Sequence, residues 1–301
     1  MRNIELTVLI ACRNGAHVLP RVLDGYRRVT PPPVGWKMVI VDNGSTDATP
    51  DIVNSFRKEL PIELISLSQP GKNRALNAGI PALEGRMAIL SDDDAIPHPA
   101  FLAAWARYLD RENGCELLGG SIEPLFEVPP PRWLLATRLR FAMMFSEREL
   151  PEGPIDAGDI YGPNMAVRTS VFGRGFRFDE VMGPNALDPD YPMGSEVEFC
   201  HRVASAGARC WFAKEPRVRH IVRAAQLGEA AWAKRAYRCG RGRARLMWQR
   251  GEIYATPTPP WSERWTMLSP LPRHRFERLC AAQLVQGFRD ECARWLSPAA
   301  R

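Results

Sequence analysis

Three consecutive carboxylates, Asp92, Asp93 and Asp94, end an apolar run in ILSDDDAIP (89–97). Adjacent like charges repel. Capping the helix expected near Pro97 or Pro99 would use one aspartate and leave the other two unexplained. A hard divalent cation takes oxygen ligands and neutralises them, and Mg²⁺ or Mn²⁺ suits a site that offers one or two carboxylates and draws further oxygens from a diphosphate. Alternate side chains of an extended chain point to opposite faces, so Asp92 and Asp94 share one side and Asp93 faces the other. The expected division is one ligand for the metal and one for a sugar or ribose hydroxyl.

A second group of polar residues has the chemistry to meet phosphate. Lys72 and Arg74 sit in a polar turn that opens a helical pattern, where backbone N–H groups and positive charge both favour anions; a solvated surface position is the alternative for either. Asn77 fits packing and hydrogen bonding inside the same site. Asp42 heads the sequence DNGS (42–45), in which Asn43-Gly44 is a turn signal. Ser45 and Asp47 read as structural rather than catalytic, with Thr46 and Asp47 placed where a helix N-cap would stand.

Short β-rich apolar runs alternate with helical patterns through the first half, the signature of βαβ units and a mainly parallel sheet. Strands are expected over Thr7 to Cys12, Lys37 to Val41, Ile62 to Leu67 and Met87 to Leu90, and helices over His17 to Arg28, Ala48 to Glu59 and Lys72 to Leu83. In such sheets the functional loops leave the carboxyl ends of strands. Arg13 and Asn14, Asp42 to Asp47, and Asp92 to Asp94 thus converge on one edge. Pro129 to Pro131 mark a break, and YGPNMAVR (161–168) follows. The acidic, proline-containing loop 179–194 has no period and reads as a mobile lid before an amphipathic segment, Glu196 to Ala206. ATPTPPW (255–261) resembles a linker, and apolar residues at 276, 279, 280, 284, 288, 292, 295 and 296 predict a helix with one apolar face.

With 301 residues, 45% of them apolar and 25% charged, the composition is that of a folded soluble chain. Seven cysteines occur without Cys-x-x-Cys or zinc-ligand spacing and read as reduced thiols. The first apolar run is too short for a signal peptide, and no stretch approaches a spanning helix. A cytoplasmic location is expected. The charge of +6 is local in origin, since the last 101 residues hold 20 Lys and Arg against seven Asp and Glu. Seven of those basic residues lie between Lys234 and Arg250, a run that suits phosphates or anionic lipid, or is simply a solvated helix face. One reading has this run touch a donor diphosphate and lean on an anionic membrane, with Trp232, Trp248, Trp261 and Trp265 either interfacial or core.

Taken together, TVLIACRNG (7–15), VIVDNGSTDATPDIV (39–53), GKNRALNAGI (71–80) and ILSDDDAIP resemble, in order and spacing, glycosyltransferase family 2, inverting enzymes of the GT-A fold. GPNMAVR (162–168), GSEVEFCHRV (194–203) and VRHIV (218–222) look like that family's later blocks. The resemblance covers about residues 6 to 245. It implies an α/β GT-A fold over 1–250, Rossmann-like, with a mixed, mainly parallel sheet flanked by helices, and a linker with a helical C-terminal extension over 251–301.

The resemblance further implies that Asp42 binds the nucleobase, with Ala11, Arg13 and Asn14 completing the base and ribose pocket. Asp94 and His220 would hold Mn²⁺ or Mg²⁺, with Asp92 and Asp93 on the nucleotide. Glu196 would be the general base, although Glu198 competes with it and either could serve as a helix cap. The expected substrates are a nucleotide-sugar donor, UDP-linked by preference, and a saccharide or lipid-linked acceptor, with transfer inverting the anomeric carbon. Peripheral contact with the inner membrane face is expected, and nucleic acid is not. A sugar-nucleotide nucleotidyltransferase would need a richer glycine loop than Arg13-Asn14-Gly15, and a non-catalytic polyanion or membrane-surface binder would leave the triple aspartate unexplained. A dehydrogenase is disfavoured because Gly-x-Gly-x-x-Gly is missing after the first strand; GRGRAR (240–245) follows a helical pattern, and no Walker loop occurs.

Overall fold

Apolar runs with few polar interruptions need cover on both faces, and the first strands obtain it. In the computed structural model, which describes residues 3–111, 114–136, 144–252 and 275–296, β1 (Ile4–Cys12), β2 (Gly35–Asn43), β3 (Ile62–Leu67) and β4 (Met87–Asp92) pair in parallel. Side-chain alternation divides them between two cores. Leu6, Val8, Ile10, Met38, Ile40, Met87 and Ile89 pack on α1 (Leu19–Arg27), α2 (Thr49–Phe56) and α4 (Phe101–Ala106). Leu9, Val39, Val41, Ala88 and Leu90 pack on α3 (Lys72–Gly79), α6 (Thr169–Gly173) and α7 (Ser195–Ser205). Full burial of each Val, Leu, Ile or Met side chain among them contributes roughly 1.5–3 kcal/mol.

The nine-stranded sheet runs β3-β2-β1-β4-β8-β6-β9-β5, with β7 (Gly153–Pro154) paired to β9. Here β5 is Ala95–Pro97, β6 Cys115–Phe126, β8 Met165–Arg168 and β9 Arg209–Val222. The parallel half gives way to antiparallel pairing at β4–β8. Beyond it, β5 pairs antiparallel with β9 so that Ala95 stands opposite His220.

Contacts divide the chain into two units. The first comprises Met1–Leu125, Phe145–Glu180 and Glu196–Ile221, and the second Phe126–Met144, Val181–Ser195 and Val222–Arg301. The boundary expected at residue 250 falls inside the second unit, between α8 (Glu229–Gln249) and α9 (Arg275–Leu296). These two helices run parallel: the contacts Trp232–Phe276, Arg241–Glu291 and Trp248–Trp295 advance together along both. Gly240 and Gly287 allow the approach, since a Cβ on either would strike the backbone of the opposite helix. The linker-like ATPTPPW, with Trp261, Trp265 and His274, lies outside the described residues.

Part of the loop read as mobile is tied down within the second unit. Arg241, only 2% exposed, binds Asp188 at 2.8 Å and Glu291 at 2.7 Å. The Met193 N–H donates to Arg238 O at 3.0 Å, and a Cβ on Gly242 would strike the Met193 carbonyl. The basic run of α8 thus spends much of its charge on its own unit, and Trp232 is core, at 1% exposure. Among the described residues no helix is long and apolar enough to cross a membrane. Replacing Arg241 by Ala removes the nearer arginine of buried Glu291 and leaves it Arg245 at 3.5 Å, so Arg241→Ala should lower unfolding stability by about 3 kcal/mol, read as a fall in the urea midpoint.

Candidate active site

Strand register sets the site. Cys12 lies beside Asp42 on β2, and Ala11 beside Asp92 on β4, so three strand ends finish at one level. The loops that leave them are stitched together by side-chain-to-backbone hydrogen bonds. Asn14 takes a left-handed φ of 51°, which asparagine tolerates better than most residues. Its Oδ1 accepts from Thr46 N–H at 2.8 Å, while its own N–H donates to Ser45 Oγ at 2.9 Å. Arg13 Nε donates to Gly44 O at 3.4 Å. Asp47 accepts from the Ala16 and Thr49 N–H groups, and Gly15 N–H donates to Thr49 Oγ1. Ser45 and Asp47 therefore brace the loops. Asp42 is 5% exposed, and its Oδ1 accepts from Ser45 N–H at 3.2 Å.

The chain turns immediately after Asp92, and this turn, more than strand pleating, separates the three aspartates. Asp94 is carried back toward β9, where its carbonyl accepts from Ile221 N–H at 2.8 Å and its Oδ1 lies 3.1 Å from His220 Nε2. Asp93 turns toward Cys12 and Gly15. Ligand atoms of Asp92, Asp94 and His220 lie within 4.8 Å of one another, which adds Asp92 to the expected pair.

This donor set fits a divalent cation. His220 Nδ1 lies 2.8 Å from Phe145 O, and a proton on that nitrogen leaves Nε2 as the ligand atom beside two carboxylates. The acids are also held unfavourably without a cation. Burial and the neighbouring Asp94 push the Asp93 carboxyl up to about 7. Burial raises Asp92 as well, opposed by Lys72 and reinforced by Asp94 and Glu196. Burial works against a charged His220, but Asp94 and Asp92 more than compensate and raise its pKa.

Lys72 lies between the Asp92, Asp94 and His220 cluster and α7. Its Nζ is 2.7 Å from Asp92 Oδ1 and 2.9 Å from Glu196 Oε1, and the two carboxylates together hold its pKa well above the ordinary ammonium value despite burial. Glu196 also faces Gly162, where a Cβ would collide with the Glu196 carboxylate. Glu198, by contrast, is 2% exposed and bound at 2.7 Å by Arg202 Nε. Arg74 and Asn77 lie farther along α3: Arg74 pairs with Glu180 and Gln69, and Asn77 donates to Phe178 O. All twelve expected site residues fall in the first unit. Gly162 falls in the family-like block GPNMAVR (162–168), and a backbone carbonyl such as Phe145 O carries no signal of its own in the sequence.

Residues 7–176, more than half of the chain, match the family described as glycosyl transferase family 2. The chain belongs to this family. Glycosyltransferase AglE of Haloferax volcanii is 26% identical over 248 residues, covering 80% of this chain and 73% of the relative. An uncharacterized glycosyltransferase of Mycobacterium tuberculosis is 27% identical over 214 residues, covering 65% and 93%. Among solved structures, TarS 1-349 of S. aureus in complex with UDP-GlcNAc superposes with a TM-score of 0.57 at 14% identity, covering 97% of this chain and 91% of that one. The mannosyltransferase PcManGT of Pyrobaculum calidifontis, in complex with GDP-Man and Mn²⁺, gives 0.59 at 18% identity, covering 100% and 78%. The fold is GT-A, and the chain is a glycosyltransferase.

The contrast between the two glutamates is open to measurement. Glu198→Gln breaks a buried charge-assisted pair and should cost about 2 kcal/mol of stability. Glu196→Gln leaves Lys72 its Asp92 partner and should cost less than about 1 kcal/mol, both read from urea unfolding.

Proposed function

We propose that the chain transfers a sugar with inversion from a nucleotide diphosphate donor, UDP-linked by preference, to a hydroxyl of a saccharide or lipid-linked acceptor, with Glu196 as general base. The observation that carries this reading is the joining of Glu196 to the Asp92, Asp94 and His220 cluster through one ammonium group, Lys72. Base and metal ligands thereby address one reaction centre. Glu198 is already committed to Arg202.

In this reading Asp94 and His220, joined by Asp92, hold Mn²⁺ or Mg²⁺. Such an ion, when bound, stabilises negative charge on a leaving diphosphate. Asp42, fixed by the Ser45 N–H, accepts the imide N–H of a uracil. Ala11, Arg13 and Asn14 line the base and ribose pocket, and Asp93 completes the nucleotide contacts. Lys72 neutralises Asp92 and Glu196 in the free chain. A diphosphate entering beside it offers the ammonium a new anionic partner and frees the Glu196 carboxylate. Glu196 then accepts the acceptor hydroxyl's proton as that oxygen bonds to the anomeric carbon, and the bonding pair of the broken C–O bond leaves with the nucleoside diphosphate. Arg74 and Asn77 hold the 178–180 segment beside α3. All seven cysteines are free thiols, the state kept in a reducing compartment, and we place the enzyme in the cytoplasm.

A panel of UDP-, GDP- and dTDP-sugars with Mn²⁺, Mg²⁺ or chelator tests the donor side by nucleoside diphosphate release and thermal shift. A metal-dependent response to UDP-sugars that disappears in Asp94→Asn is expected; a response only to GDP- or dTDP-sugars overturns the UDP preference. For the base, Glu196→Gln should lower kcat by about 10²–10⁴-fold with the donor-induced thermal shift retained. Wild-type turnover in that variant would remove Glu196 from the role.

A further inference from the structure

Exposed apolar surface and positive charge are both concentrated in the second unit. Among the described residues six large apolar side chains are exposed, Val128, Leu135, Val181, Leu187, Trp248 and Leu279, and all six belong to that unit. Its ranges hold 18 Lys and Arg against nine Asp and Glu, whereas the rest of the chain holds 22 against 25. A solitary exposed leucine needs no explanation, and much of the charge on α8 is spent internally on Asp188, Asp190 and Glu291. At one place, however, exposed apolar side chains and outward-facing charge coincide.

That place is α5 (Arg132–Ala136) against the first turn of α9. The Trp133 ring lies 4.6 Å from that of Phe276, and both rings pack on the buried Trp232. With Leu134 fully buried, α5 is anchored from below and Leu135 is left 62% exposed. Leu279, on the stripe of α9 that sequence periodicity marks as apolar, is 40% exposed because neighbouring elements do not fully cover it. Arg132 and Arg275 are exposed and Arg278 is half-buried. The acid within this stretch, Glu277, is buried at 5%; Glu127 and Glu229 are the exposed acids that border it.

We propose that this face docks on an anionic lipid bilayer, with Leu135 and Leu279 in the boundary between headgroups and acyl chains and the arginines on lipid phosphates. Leucines flanked by arginines over an aromatic base are the chemistry of an interfacial helix surface. A nucleic-acid surface would present aromatic rings for stacking in place of aliphatic tips. The contact is peripheral and uses Arg132, Arg275 and Arg278 in place of the basic run 234–250 that the sequence points to. It does not depend on which residue acts as base or which donor is used.

Co-sedimentation of the full chain with sucrose-loaded vesicles, phosphatidylcholine alone or mixed with phosphatidylglycerol, tests the assignment. Binding is expected only with the anionic lipid and should weaken on going from about 0.05 M to about 0.5 M salt. Arg275→Glu should lower the partition coefficient about fivefold or more. Leu135→Glu combined with Leu279→Glu should abolish binding while circular dichroism and thermal unfolding stay native, and Arg57→Glu in the first unit should leave it unchanged. Equal binding to neutral vesicles, no binding at all, or wild-type binding by the double leucine variant overturns the proposal. So does a wild-type dimer split by that variant without any vesicle binding, which would make the face a contact between copies of the chain.

Discussion

Four carboxylates, Asp92, Asp93, Asp94 and Glu196, crowd one corner of this chain, and their mutual repulsion governs what surrounds them. Burial adds to the problem by disfavouring charge. The chain offers two partial remedies, Lys72 between Asp92 and Glu196 and His220 beside Asp94. Lys72 offsets little at Asp93, where burial and the neighbouring Asp94 prevail and push the carboxyl up to about 7. A corner that remains short of positive charge after its own residues are counted is matched to a cationic guest. The stability given up here must come from elsewhere, and the strands packed into two cores supply it.

That demand explains the rigidity of the loops. Repelling carboxylates hold position only if their backbone cannot relax away, so each loop at the strand ends is fastened to a neighbour. Asn14 and Ser45 join the loops after β1 and β2, and Asn43 Oδ1 accepts from Gly71 N–H at 2.8 Å to bring in the start of α3. Ser91 Oγ donates to Pro163 O, fixing the Gly162–Asn164 turn that faces Glu196. Small polar residues near the site therefore act on the framework, and the larger charged ones are left for chemistry.

The sequence made this division partly legible. Alternating strand and helix patterns located β1 to β4 and α1 to α3 because their apolar periodicity is strong and local. The triple aspartate stood out because no structural economy requires it. Periodicity could not show that Asp92 and Glu196, more than 100 residues apart, share one lysine; that follows from antiparallel crossings beyond β4, which are set by tertiary packing. The same limit hid the real role of Arg241. A basic run reads as a polyanion surface, but a buried arginine beside Asp188 and Glu291 is an internal clamp, and only the packing of α8 on α9 reveals it. Leu279 is the opposite case: it lies on the apolar stripe, yet remains partly exposed.

Charge distribution also constrains how an anionic donor would reach the site. The ranges of the first unit hold 22 Lys and Arg against 25 Asp and Glu, so its overall charge does not attract a diphosphate, and screening near physiological salt confines attraction to roughly 8 Å. Selection must then come from short-range groups: the Lys72 ammonium, the cation that the Asp92, Asp94 and His220 corner can accept, and the directional hydrogen bond offered by Asp42. Such a site favours a ligand that brings phosphate, a divalent ion and a matching base together over a simple polyanion. The positive charge of the second unit is engaged differently, because much of it clamps that unit's own loop.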